Sequence, residues 1–82
     1  MDPNDLALLK SSVDRVLAFE LVTGEQFFAE VVIVVDEPPT PDVFLLRVER
    51  EPDGVFSAKT AAGESFLLDD IRRVAAIPGV EL

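Results

Sequence analysis

The chain has no cysteine, histidine, tryptophan or tyrosine, and one asparagine, Asn4. Each absence removes a class of chemistry. Without Cys there is no disulfide framework, and without Cys or His a zinc site has no good ligands, so neither can staple the fold. Without His there is no base for Ser11, Ser12, Ser57 or Ser65, which rules against a serine nucleophile. The four glycines, Gly24, Gly54, Gly63 and Gly79, are scattered one to a turn, so no glycine-rich loop can cradle a phosphate. Positive charge is also scarce: seven Lys and Arg face 16 Asp and Glu, a net charge of −9. Such a surface repels a phosphate backbone on average and favours a basic protein as partner.

Long apolar runs are missing as well. The longest, Val31–Val35, is far too short to span a bilayer, and the first residues are acidic where a secretory signal would be basic. The expectation is a soluble, cytoplasmic protein that makes no membrane contact. What is present is an apolar fraction of 49%, enough for one packed core in 82 residues and too much for disorder. A single domain over 1–82 is expected, with a helix at about 3–12 and strands at about 15–77.

The helix rests on Asp2 as N-cap, Pro3 at the first helical position and Asp5 in the first turn, with Leu6, Leu9 and Val13 on one stripe. Ser11-Ser12 ends it. Strand one, Arg15–Thr23, alternates Leu17, Phe19 and Leu21 with Ala18, Glu20 and Val22, and Gly24 turns it. Strand two, Glu25–Val35, is apolar on both faces: Phe27, Ala29, Val31, Ile33 and Val35 on one, Phe28, Val32 and Val34 on the other. In so small a domain such a strand is either bent between two sheets or covered by another subunit. The proline-rich segment 36–42 is an extended loop whose Pro38 and Pro41 form a minimal PxxP with acidic flanks. Strand three, Val43–Arg50, is expected to turn Phe44, Leu46 and Val48 inward and Arg47 and Glu49 outward. Glu51–Gly54 is a turn, Val55–Thr60 a fourth strand, and Ser65–Leu68 a fifth. A single step at Asp69-Asp70 leads to a last strand, Arg72–Ile77, stopped by Pro78-Gly79.

Asp69-Asp70 is better read as a turn than as a metal or catalytic pair, because neighbouring strand residues point apart. Lys59 is read as a surface charge. No cofactor and no enzymatic activity are expected.

The run Leu17-x-Phe-x-Leu-x-Thr-Gly-Glu, then Phe28-Ala-Glu-Val, then Ser65-Phe-Leu-Leu-Asp-Asp-Ile-Arg-Arg-Val-Ala-Ala-Ile resembles the Sm-like (LSm) small barrels over residues 4–77. Arg72 matches the arginine of the second Sm motif, and Arg73 stands where its glycine would be. The outline is also similar to the Rho-binding antitermination factor and to the C-terminal barrel of the ribosome maturation factor family. The resemblance implies an all-β Sm/SH3-like barrel of five to six strongly bent antiparallel strands behind a short N-terminal α-helix. It also implies a homo-oligomer, dimer or ring, in which the last two strands of neighbouring subunits pair. Phe28, Val32, Val34, Phe66, Leu68, Val74 and Ala76 are the expected interface. RNA binding is the second expectation, through Arg47, Arg72 and Arg73: closure of the barrel could bring Arg47 near Arg72 or Arg73, although pairing of each with one of the many surface acids is the favoured reading. It ranks below protein binding because the first RNA-binding loop of that family is here proline-rich, without Asn, aromatic ring or base.

Overall fold

The computed structural model describes residues 1–58 and 62–77. Lys59, the expected end of the fourth strand and the Pro78-Gly79 stop lie outside the described residues. Among those described, the chain is mainly β: a helix α1 (Pro3–Lys10), then strands β1 (Val16–Leu21), β2 (Gln26–Val35), β3 (Asp42–Arg50), β4 (Phe56–Ala58), β5 (Glu64–Leu67) and β6 (Ile71–Ala75). The strands form one antiparallel sheet ordered β4-β3-β2-β1-β6, with β5 also on β3.

The start of α1 follows the local rules. Asp2 accepts a hydrogen bond from the Asn4 amide at 2.7 Å, Pro3 opens the helix and Ser11 closes it. Leu9 is fully buried, and Met1, Leu6 and Leu8 pack beside it on the core. Val13 lies beyond the helix and is exposed, contrary to the helical stripe. Its backbone instead bridges to Val31, and Asp14 takes a φ of 68°, a left-handed turn that Asp tolerates better than most residues. The Asp14 amide donates to the Val31 carbonyl at 2.7 Å, which ties the helix exit to β2.

The β1/β2 and β3/β4 hairpins close with the same device. In the first, the Gly24 amide donates to the Leu21 carbonyl and the Leu21 amide to that of Glu25, both at 2.9 Å. In the second, Gly54 donates to Glu51 and Glu51 to Val55, both at 2.8 Å. Each is a three-residue loop ending in a left-handed glycine, φ 94° at Gly24 and 88° at Gly54. Space is open around both Cα atoms, so an added methyl meets only the backbone penalty. Gly24→Ala and Gly54→Ala should each lower stability by about 1–2 kcal/mol, read as a shift in denaturation midpoint.

β4 and β5 are two pieces of one partner strand. β4 pairs Val48–Arg50 and β5 continues in the same direction along Asp42–Leu45. The sheet is therefore a five-lane antiparallel meander in which β6 returns beside β1. Its inner face carries Leu17, Phe19 and Leu21 of β1 with Ala29, Val31, Val43, Leu45, Ile71 and Val74, and α1 closes one end.

Two expectations of facing are corrected. A bulge between Val31 and Ile33 takes up Val32, so β2 changes phase: Ala29 and Val31 face inward before it, Val34 after it. In β3 the inward residues are Val43 and Leu45, both fully buried, while Phe44 stands on the outer face. The run Val43–Leu46 is apolar in both phases, and Arg47 shares the inward phase. Nor does the sheet close into a barrel. β5 lies against β3 and β6 against β1, at opposite edges, and the single 3-10 turn Leu68–Asp70 joins them without a β5–β6 ladder.

Candidate interaction surface

Three of the six phenylalanines form a row on the inner face. Phe19 stacks on Phe27 with centroids 5.5 Å apart and planes within 8°, and Phe27 meets Phe66 at 5.8 Å. Arg47 lies over the end of this row. Its guanidinium carbon is 4.1 Å from the Phe27 centroid and 5.8 Å from that of Phe66. Its Nη1 donates to Glu25 Oε2 at 3.0 Å and Nη2 to Oε1 at 3.4 Å, a forked grip. Nε sits 2.9 Å from Glu64 Oε1, an ion pair whose approach is off the N–H axis and leaves that buried donor without a formal hydrogen bond. The hydrogen bond from Arg47, reinforced by its charge, holds the Glu25 carboxyl below the usual carboxylate range. The Glu25 contact in turn raises the Arg47 value. Arg47 thus joins the first hairpin turn, β3 and β5 in one clamp.

The other two arginines point elsewhere. Arg72 donates to Glu20 Oε2 at 3.1 Å and to the Val22 carbonyl at 3.0 Å. Arg73 lines a shallow groove on the outer face with Ala18, Glu20, Gln26, Phe28 and Ala75. Arg47 lines a different depression, with Val48 and Arg50. The three expected anion contacts are therefore not brought together, and two of them are held by the chain's own carboxylates. Asp69 and Asp70 are both exposed in the 3-10 turn, and the Asp70 carbonyl accepts from the Val22 amide at 2.9 Å.

Of the residues expected at an interface, Leu68 and Val74 are buried in the chain's own core, and Val34 and Phe66 pack against it. Phe28 is half-buried on the outer face, edge-on to Phe56 at 5.4 Å, Val32 is half-buried at the bulge, and Ala76 is exposed. The apolar surface left open is a different set. Ile33 is 55% exposed, Val35 42%, Phe44 38% and Leu67 45%. The ladders place these four together: Ile33 pairs with Phe44 and Phe44 with Ser65, while Val35 pairs with Asp42 and Asp42 with Leu67. Paired residues share a face. Sequence reasoning missed this set because the bulge and the phase of β3 decide it.

Compared with protein-family models, curated proteins and solved structures, the chain matches none. What the surface can do is decided by its own geometry.

That geometry includes two open edges. β5 has β3 on one side and β6 has β1 on one side, and among the described residues no strand pairs with the other side of either. The Leu68 amide donates to the Pro41 carbonyl, toward β3. Alternation along an antiparallel ladder then aims the Ser65 and Leu67 amides at the open side.

Proposed function

We propose that this chain is a non-catalytic interaction module that associates with itself through the open edges of its sheet and binds a second, preferentially basic protein through its acidic surface. The observation that carries the first half is the pair of unpaired edges. An exposed edge is a template for another strand, and here β5 carries neither Lys nor Pro to blunt it. A return strand beside β1 that leaves edges at β5 and β6 suits the small-barrel resemblance, in which those two strands pair between subunits. The second half rests on charge. At −9 the chain attracts basic surfaces, and two of the arginines that would serve an RNA site are engaged by Glu20, Glu25 and Glu64. Cysteine-free composition is in keeping with a reducing cytoplasm. No helix among the described residues is long and apolar enough to cross a membrane.

Size-exclusion chromatography with light scattering, recorded at 260 nm, tests the reading. The chain has neither Trp nor Tyr, so bound nucleic acid would dominate the absorbance. A dimer or ring transparent at 260 nm is expected. Ser65→Pro should convert it to a monomer with unchanged far-UV circular dichroism, because the proline removes only an outward amide. A wild-type monomer sinks the self-association, and an oligomer absorbing at 260 nm puts RNA in place of protein.

A further inference from the structure

The outer face of β2, β3 and β5 holds one feature that edge pairing leaves uncovered. Ile33, Val35, Phe44 and Leu67 make a contiguous apolar patch on the order of a few hundred Å², comparable with patches that serve as binding sites in other proteins. Asp42 lies inside this patch, between Val35 and Leu67 on the same face. It is half-buried, and among the described residues no hydrogen bond or ion pair engages its carboxylate. Glu37 lies two residues beyond Val35 and Asp69 two residues beyond Leu67, both exposed. Lys10 stands at the same end, and its ammonium is engaged by Asp36 at 2.9 Å.

The charge decides the occupant. A wholly apolar segment laid on the patch would bury the Asp42 carboxylate uncompensated, a large cost. A second copy seated face to face would bring the same acidic rim against itself. A segment that presents Lys or Arg beside apolar side chains on one face meets both demands: its apolar residues cover the patch and a cation reaches Asp42. We propose that this patch is the docking site for such a basic amphipathic segment of a partner protein. The assignment rests on the basic-partner half of the proposed function and gives it a location, with Asp42 as the anchoring charge.

Three synthetic peptides of equal length test it by ¹⁵N NMR titration of the full chain at about 0.15 M salt, where screening acts within about 8 Å. They carry lysine and valine, lysine and serine, or glutamate and valine at positions two apart, so that both residue types share one face of the extended peptide. The lysine–valine peptide should saturably shift the amides of Ile33–Val35, Asp42–Phe44 and Leu67. The lysine–serine and glutamate–valine peptides should bind roughly tenfold more weakly or worse, and Asp42→Lys should weaken the lysine–valine peptide by a similar factor. Preserved peak dispersion in Asp42→Lys shows that the variant is folded. Equal binding of the lysine–serine peptide reduces the effect to diffuse charge and overturns the site, as does an unaffected Asp42→Lys variant. Shifts confined to another acidic region overturn the patch and leave the basic-partner reading standing. No shifts with either lysine peptide overturn both.

Discussion

Phe19→Ala is expected to cost about 3–5 kcal/mol, the range for truncating a buried phenylalanine. A domain of this length has about 4–12 kcal/mol to lose, so the variant should be partly unfolded at 37 °C. The size of the effect follows from position. β1 is an inner lane of the sheet, and Phe19 pairs with Phe27 on one side and Val74 on the other. It is 2% exposed and carries the stacking contact that starts the Phe19–Phe27–Phe66 row. Truncation removes transfer energy, leaves a cavity and unseats Phe27, on which Arg47 rests. Phe19→Leu keeps most of the volume and should lose only about 1–2 kcal/mol. Val55, exposed at 61%, is the counterpart: Val55→Ala should stay within about 0.5 kcal/mol of the parent. With neither Trp nor Tyr to report, far-UV circular dichroism against urea is the measurement. Equal midpoints for Phe19→Ala and Val55→Ala would mean that the core does not centre on this row.

The same contrast explains how much was legible in the sequence. β1 could be read because its two phases differ: Leu17, Phe19 and Leu21 alternate with a set containing Glu20, and all three are buried. The hairpin turns at Gly24 and Gly54, the helix cap at Asp2 and the single-turn step at Asp69-Asp70 are likewise local, fixed by residues within one turn. The bulge at Val32 is not. Val31–Val35 is apolar throughout, so the sequence carries no phase there, and pairing with β3 sets it. In the middle of β3 the phase signal came from Arg47 and Glu49, and Arg47 points inward. An arginine reads as solvent-facing unless its partners are known, and Glu25 and Glu64 come from a turn and a strand far along the chain. Exchange of the two phases turned the expected core residue Phe44 into surface and left Val34 inside. The candidate docking patch was hidden for this reason: long-range register, not local composition, decides which half of an apolar run faces out. Closure of a barrel was beyond local signals too, since it depends on whether β5 and β6 meet.

Arg47 is where the largest polar effect is expected. Arg47→Ala should cost about 2 kcal/mol, through loss of the cation over Phe27 and of the packed stem. Arg47→Lys should recover only part of it, because an ammonium cannot grip Glu25 with a fork while lying flat on the ring. The pH dependence separates the ionic part from the packing part. The folded-state value of Glu25 lies below its ordinary one, so its contribution is fully present above the ordinary carboxylate range and is lost as pH falls through the lowered folded value. The stability difference between the parent and Arg47→Ala should therefore be constant near neutrality and shrink on acidification below that range. A residue should persist from the contact with Phe27, which does not titrate. In Glu25→Gln the acid-dependent portion assigned to this pair should disappear while the Phe27 contact remains. A difference between parent and Arg47→Ala that stays flat to the lowest pH at which both fold would assign the whole effect to packing and remove the clamp. Because Arg47 ties β3 to β5 through Glu64 at 2.9 Å, its loss should also loosen the edge strand proposed to mediate self-association. Faster amide exchange at Phe66 and Leu68, whose amides face β3, would accompany the stability loss if the clamp holds β5 in register.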